Sequence, residues 1–211
     1  MTYTYNDLKK DILVDDLLPF TKIGKKRLSN LYELCLDVNK RGIEGDFVEC
    51  GIYTGGASTL MAIHAHDEDR KTWMFDSFEG MPAPTKEDGD KASNWTGKTA
   101  AGIHWIKSLL WEYDIPKNKV EIIKGWFKDT VPIAKIDKIA ILRLDGDWYE
   151  STKVCLDSLY DKVALGGYII IDDYGHWEGC QKAVDEFIEK RGLHVNFVIT
   201  DYTERWWQKG E

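Results

Sequence analysis

The stretch LRLDGDWYEST, residues 142–152, decides the fold because it joins a buried strand to the helix that follows it. The apolar run IAIL, residues 139–142, leads into this stretch and is typical of a strand that is covered on both faces. Two acids, Asp145 and Asp147, come directly after the strand, although burying an unpaired carboxylate is costly. A second group at the same place must therefore compensate these charges.

The same pattern returns in YIIIDDYG, residues 168–175, where Asp172 and Asp173 follow another apolar run. Strands that alternate with helical patterns predict an α/β fold with a mostly parallel, Rossmann-like sheet and helices on both faces. Ligands bind such sheets outside the carboxyl ends of the strands, so both acid pairs belong at the mouth of a site. The predicted strands are 46–51, 71–76, 120–125, 139–145 and 166–173, and residues 194–200 and 204–210 are expected to add a C-terminal antiparallel hairpin strand.

The composition limits the classes of protein to consider. The chain has 211 residues, of which 43% are hydrophobic and 30% charged, and this is typical of a globular protein. A net charge of −8 argues against nucleic acid as a main partner. We also expect no contact with a membrane, since no apolar run reaches about 18 residues. Four widely spaced cysteines without a Cys-x-x-Cys pair favour reduced thiols, no zinc and a cytoplasmic location.

The length predicts one domain, residues 1–211, that begins with a helical segment at 1–42. Within that segment, residues 25–40 carry apolar side chains at helical spacing. Residues 77–100 are expected to form a lid-like loop, because 79–99 are polar, rich in Gly and Pro, and without periodicity.

The loop VECGIYTGGAS, residues 48–58, can turn tightly and approach a ligand closely because of its glycines. Tyr53 stands where a dinucleotide motif prefers glycine, which disfavours a pyrophosphate. Glu49 suits a cationic group, such as the amino group of S-adenosylmethionine, and Asp76 after the next strand can accept from ribose hydroxyls. A tight strand–helix turn with a solvated Glu49 is the alternative interpretation.

The two acid pairs predict a metal site. Asp145, Asp172 and Asp173 should converge at neighbouring strand ends, and two carboxylates about 4 Å apart repel by about 4 kcal/mol at an effective dielectric of 20. Mg²⁺ removes this repulsion and prefers carboxylate oxygens. Asp147 follows Gly146 and can point at a substrate, where it would act as a general base. The alternative is that Asp147 and Asp173 cap helices.

Two further residues have open interpretations. Trp126, after the third predicted strand, can stack on adenine or pack in the core. His176, shortly after the second acid pair, can touch a substrate or lie on the surface.

Five motifs, in chain order, resemble the macrocin O-methyltransferase family, whose members methylate sugar hydroxyls of macrolides and aminocoumarins: VECGIYTGGAS, FDSFEGMPAP, KGWFKDT, LRLDGDWYEST and GGYIIIDDYGHW. The resemblance covers roughly residues 40–190 and implies a class I methyltransferase fold. It implies Mg²⁺ at Asp145, Asp172 and Asp173, with Asp147 as the base. It also implies S-adenosylmethionine contacts from Glu49, Gly51, Thr54, Gly55, Asp76, Ser77 and Trp126. The position where catechol methyltransferases carry a lysine is Trp148, which disfavours a catechol acceptor.

The sequence therefore predicts an S-adenosylmethionine- and Mg²⁺-dependent O-methyltransferase that acts on a hydroxyl of a sugar or of a glycosylated small molecule. We expect a small-molecule or saccharide acceptor as the partner, and a homodimer is possible. One alternative is a glycosyltransferase, because Asp145-Gly146-Asp147 is a D-x-D triplet of the kind that holds a metal–nucleotide sugar. The other is a non-catalytic nucleoside-binding protein of the same fold.

Overall fold

A seven-stranded sheet organises residues 10–210, the part of the chain that the structure, a computed structural model, describes. Along the sheet the strand order is β3-β2-β1-β4-β5-β7-β6. The first five strands in chain order run parallel, β7 is antiparallel to β5, and β6 is antiparallel to β7. The strands are β1 (Asp46–Cys50), β2 (Thr72–Asp76), β3 (Val120–Lys124), β4 (Ile139–Leu144), β5 (Val163–Ile171), β6 (Val198–Ile199) and β7 (Arg205–Gln208).

The mostly parallel α/β sheet confirms the predicted fold class. The C-terminal hairpin differs in one respect, because it adds two antiparallel strands to the sheet and not one. The second, β6, pairs only through Val198 and Ile199 on the outer side of β7.

Seven α-helices lie within the described residues, and none of them has both the length and the apolar composition that a membrane crossing requires. The pattern at 25–40 is confirmed as one helix, whereas the first nine residues of the predicted helical segment 1–42 lie outside the described residues. The helices are α1 (Lys10–Leu17), α2 (Lys25–Lys40), α3 (Gly56–Asp67), α4 (His104–Glu112), α5 (Phe127–Thr130), α6 (Tyr149–Leu159) and α7 (Glu178–Arg191).

The helices cover both faces of the sheet. Successive side chains of a strand point to opposite faces, and in β4 both faces are buried: Ile141 packs in the cluster that contains side chains of α1–α4. Its neighbour Leu142 packs in the cluster that contains side chains of α6 and α7. The continuous apolar run of β4 follows from this double coverage.

The strand register brings three strand ends to one level. Cys50 of β1 pairs with Leu144 of β4, and Leu144 pairs with Ile171 of β5. Their successors therefore leave the sheet side by side: the amide of Asp145 donates to the Cys50 carbonyl at 2.8 Å, and that of Asp172 to the Leu144 carbonyl at 2.9 Å. This register places the acids of both motifs at one edge.

The loop at 77–100 has local structure that its composition does not indicate. It contains two 3-10 turns, Lys86–Asp88 and Asp90–Trp95. Asp88 is 3% exposed and pins the loop, because its carboxylate accepts from the amides of Thr85 and Tyr149, each at 2.7 Å. Since Tyr149 begins α6, the loop is attached to the helix that follows the first acid motif. Its role as a lid stays a prediction.

Candidate active site

A cavity of about 690 Å³ opens at the carboxyl ends of the parallel strands, where ligands bind in sheets of this kind. It is lined by most of the residues that the sequence singles out, namely Glu49, Gly51, Asp76, Ser77, Trp126, Asp145, Asp147, Asp172, Asp173 and His176. The topology thus brings together side chains that are up to 127 positions apart in the chain, from Glu49 to His176 (176 − 49).

The loop after β1 fits its surroundings only with glycine at two positions. Gly51 has φ +101°, and a Cβ atom there would collide with the backbone carbonyl oxygen of Asp145. Gly55 has φ +104°, and a Cβ there would overlap Ile106 of α4. Thr54 donates its hydroxyl to the Phe20 carbonyl at 2.6 Å. Thr54 and Gly55 are not among the residues that line this cavity, and their predicted cofactor contacts stay predictions.

Asp76 shapes the same loop. Its Oδ2 accepts from the amides of Ile52 at 2.8 Å and Tyr53 at 3.1 Å, and its Oδ1 accepts from the amide of Phe78 at 2.7 Å. A carboxylate has about four lone-pair sites, so one remains for a ligand hydroxyl. Ser77 donates its hydroxyl to the Gly80 carbonyl at 3.2 Å. The ribose contact predicted for Asp76 is therefore compatible with these bonds and stays a prediction.

Arg143, the next-to-last residue of β4, links the first loop to the acids. Its guanidinium is 1% exposed and donates to Glu49 at 2.6 Å, to Asp145 at 3.0 Å, and to Asp172. Burial opposes the charge of Arg143, yet these carboxylates hold its pKa well above the usual value. The other Glu49 oxygen accepts from the Ser58 hydroxyl. Sequence reasoning missed Arg143, although a lone arginine between two leucines of an apolar strand is a signal that it has buried acidic partners.

Asp172 is occupied by two arginines. One carboxylate oxygen accepts from Arg143, and the other accepts from Arg27, which α2 contributes. The Nε of Arg27 also lies 3.1 Å from a carboxylate oxygen of Asp201, in the turn between β6 and β7. These arginines compete with a metal for Asp172. No pattern in the sequence indicates Arg27, because the contact spans 145 positions.

Three carboxylates come together beside these arginines, and one of them, Asp145, also accepts from Arg143. Asp145, Asp147 and Asp173 each offer an oxygen that lies within 4.8 Å of the other two. The Oδ2 of Asp173 is buried and accepts no hydrogen bond from the described residues. Burial, together with the neighbouring charges, raises the pKa of Asp147 to about 7 and that of Asp173 well above its usual value.

The donor set fits a hard divalent cation, because a buried, unpartnered carboxylate oxygen beside two further carboxylates is what Mg²⁺ prefers. This cluster differs from the predicted ligand set in one member. It contains Asp147, the predicted base, whereas the predicted ligand Asp172 lies with the arginines.

Aromatic rings form the wall of the cavity on the acidic side. Trp177 donates its indole N–H to Asp147 Oδ1 at 2.8 Å. Its ring centroid lies 5.9 Å from that of Trp95 and 4.6 Å from that of His176. Tyr202, which is 69% exposed, places its hydroxyl 3.3 Å from Nδ1 of His176. We call Trp95, His176, Trp177 and Tyr202 the aromatic wall. Only His176 of this set was singled out from the sequence.

Solved structures with the same architecture include methyltransferases. The O-methyltransferase NovP superposes with a TM-score of 0.83 at 37% identity, over 91% of this chain and 83% of that one. The calicheamicin methyltransferase CalS11 superposes with a TM-score of 0.72 at 17% identity, over 100% and 95% of the two chains, which shows the shared fold. The sheet and the site at its carboxyl edge define a class I methyltransferase, a fold that implies S-adenosylmethionine.

The chain belongs to the macrocin O-methyltransferase (TylF) family, whose sequence model matches residues 7–209. It is 40% identical over 203 residues to demethyldecarbamoylnovobiocin O-methyltransferase of Streptomyces niveus, covering 90% of this chain and 75% of that protein. It is 32% identical over 199 residues to mycinamicin III 3''-O-methyltransferase of Micromonospora griseorubida, covering 90% and 78%. The predicted O-methyltransferase is thereby confirmed, and the glycosyltransferase and non-catalytic alternatives are wrong.

Proposed function

We propose that the chain transfers a methyl group from S-adenosylmethionine to a sugar hydroxyl of a glycosylated small molecule, with Mg²⁺ at the acidic cluster. The observation that carries the proposal is the buried oxygen of Asp173, which has no hydrogen-bond partner among the described residues and lies beside Asp145 and Asp147 in the lining of the cavity. The names of the relatives, which include a mycinamicin 3''-O-methyltransferase, support a sugar acceptor.

Asp145 and Asp173 would hold the metal, since both lie in the cluster and one oxygen of Asp173 accepts no hydrogen bond within residues 10–210. A bound Mg²⁺ lowers the pKa of a hydroxyl in contact with it. Asp172, the third predicted ligand, would reach the ion only by exchanging one of its two arginines for it. Arg143 meanwhile fixes Asp145 through its hydrogen bond at 3.0 Å.

The cofactor would occupy the side of the cavity that is formed by the loops after β1, β2 and β3. Gly51, Asp76, Ser77 and Trp126 line that side. S-adenosylmethionine supplies the methyl group there. Both oxygens of Glu49 already accept hydrogen bonds, one from Arg143 and the other from Ser58. Glu49 would therefore bind the cofactor's amino group in addition to these two donors.

Asp147 would take the proton of the acceptor hydroxyl. It lies at the acidic end of the cavity, two residues beyond Asp145, and one of its oxygens is fixed by the indole of Trp177. A positioned general base contributes about 10²–10⁴ in rate. Most of the remaining acceleration would come from holding the hydroxyl and the methyl group in line.

The acceptor would rest against the aromatic wall. Aromatic faces present a large apolar surface, and the C–H faces of a sugar ring pack well on such surfaces. The polar groups within reach, including His176 and the Tyr202 hydroxyl, would accept or donate to sugar hydroxyls. Since Trp177 is part of the aromatic wall and donates to Asp147, a sugar ring on the wall would lie beside the proposed base.

The test is a methyl-transfer assay with labelled S-adenosylmethionine on matched glycosides and their aglycones. We expect labelled product from a glycoside only, loss of product with a chelator, and recovery with added Mg²⁺. Equal methylation of aglycones would refute the sugar acceptor. Full activity in chelator would refute the metal.

A further inference from the structure

Trp177 presents its indole N–H to Asp147 from a rigid support. The donor lies 2.8 Å from Asp147 Oδ1, and the ring meets Trp148 edge-on with centroids 4.8 Å apart. Trp148 is 1% exposed, and its own indole donates to the Pro82 carbonyl at 2.9 Å. Trp95 also meets the Trp177 ring edge-on, with centroids 5.9 Å apart. The direction of the N–H is therefore fixed by packing.

The Asp147 carboxylate could either bind the metal or act as the base, and these two roles need different orientations. It lies within 4.8 Å of ligand atoms of Asp145 and Asp173, so a cation between those two acids attracts it as well. A base needs a lone pair directed at the acceptor and not at the ion. Its backbone is left-handed, with φ +57°, directly after Gly146. That conformation lets the side chain leave the strand direction, but it does not by itself choose between the two roles.

We propose that Trp177 is a positioning residue that keeps Asp147 out of the metal's ligand set and so leaves it free to act as the base. The inference rests on the proposed function, because it takes the acidic cluster as the metal site. A hydrogen bond to a carboxylate is stronger than one between neutral groups. If Asp147 turned fully towards the ion, it would lose that bond and leave the indole N–H without an acceptor in a closely packed environment.

Trp177→Phe removes the donor and keeps an aromatic ring. Without the restraint, Asp147 joins the metal, so calorimetry on the cofactor-free protein should show Mg²⁺ binding at least about threefold tighter, since each added carboxylate ligand strengthens a hard-cation site. The kcat should fall by about 10-fold or more, because the base is misplaced. Trp95→Phe is the matched control, since it changes a ring beside Trp177 without touching the hydrogen bond, and it should leave Mg²⁺ affinity unaltered.

A double-mutant cycle with Asp147→Asn separates positioning from general packing. In the Asp147→Asn background, Trp177→Phe should change Mg²⁺ affinity and kcat by less than about twofold. Equal losses in both backgrounds would overturn the inference, as would unchanged or weaker Mg²⁺ binding in Trp177→Phe alone.

A third measurement needs no metal. In a ¹H–¹⁵N spectrum the Trp177 indole signal, assigned by its loss in Trp177→Phe, should move upfield in Asp147→Asn, because an amide is a weaker acceptor than a carboxylate. An unmoved signal would overturn the inference. Failure of the wild-type protein to bind Mg²⁺ would instead overturn the proposed function, and the indole signal would still report the hydrogen bond.

Discussion

Replacing Arg143 by Met should expose how much the protein depends on this one buried cation. The guanidinium is 1% exposed and donates to Glu49, Asp145 and Asp172. The substitution therefore removes the positive charge that these three carboxylates share. Breaking a buried ion pair by removing one partner costs about 3–5 kcal/mol. Met has a similar length and should limit the added cavity.

Urea unfolding measures the effect. With an m-value of about 2–3 kcal/mol/M, the loss corresponds to a midpoint lowered by about 1–2.5 M. Lys153→Met is the control, since Lys153 pairs with Asp157 at 2.6 Å on the surface with 42% and 40% of the side chains exposed. Such a pair contributes about 0.3–0.5 kcal/mol.

Mg²⁺ should restore part of the stability of Arg143→Met, because a bound cation compensates the same acids and stabilises by about 2.7 kcal/mol at 100 times its dissociation constant. A loss below about 1 kcal/mol for Arg143→Met would refute the reasoning. It would mean that the acids around Arg143 are neutral in the folded protein.

Three further outcomes are expected. Burial lowers the pKa of His64 to about 4, whereas its pKa in the unfolded chain is about 6.5. Between these two pH values the unfolded chain binds more protons than the folded protein. His64 therefore costs no stability above pH 6.5 and about 2 kcal/mol at pH 5. Between pH 7 and pH 5 the free energy of unfolding should therefore fall less in His64→Gln than in the wild type. An equal fall in both proteins would contradict the lowered pKa of His64. Tyr202→Ala should raise the acceptor KM by about 3- to 10-fold, the value of one aromatic contact, without changing S-adenosylhomocysteine affinity in calorimetry; an unaltered KM would exclude Tyr202 from the acceptor site. Gly51→Ala should weaken S-adenosylhomocysteine and Mg²⁺ together, because its Cβ displaces the Asp145 backbone, and loss of only one affinity would contradict that coupling.

The sheet and its site edge were predictable because their causes are local or topological. Leu28, Leu31 and Val38 repeat at helical spacing, so α2 is visible in the sequence and its bounds are confirmed at Lys25–Lys40. Acids directly after apolar runs must gather at one edge once the strands are parallel, and the register of Leu144 with Ile171 does gather them.

The remaining features depend on contacts between distant parts of the chain. Arg143 meets Glu49 across 94 positions, and Trp177 meets Asp147 across 30. Helix and strand periodicity relate only residues that are close in the chain, so they cannot predict such pairs. The loop at 77–100 lacked periodicity because Asp88 organises it through backbone amides, one of them 61 positions away at Tyr149. The number of C-terminal strands was missed because β6 pairs through only two residues.

The most direct test of the metal site is anomalous diffraction from crystals soaked in Mn²⁺, a hard divalent ion that takes the same oxygen ligands as Mg²⁺. The predicted result is one strong peak at the acidic cluster, in direct contact with carboxylate oxygens of Asp145 and Asp173, with the Asp147 carboxylate still hydrogen-bonded to Trp177. A cluster without a peak, or a peak held by Asp147 in place of Asp173, would contradict it.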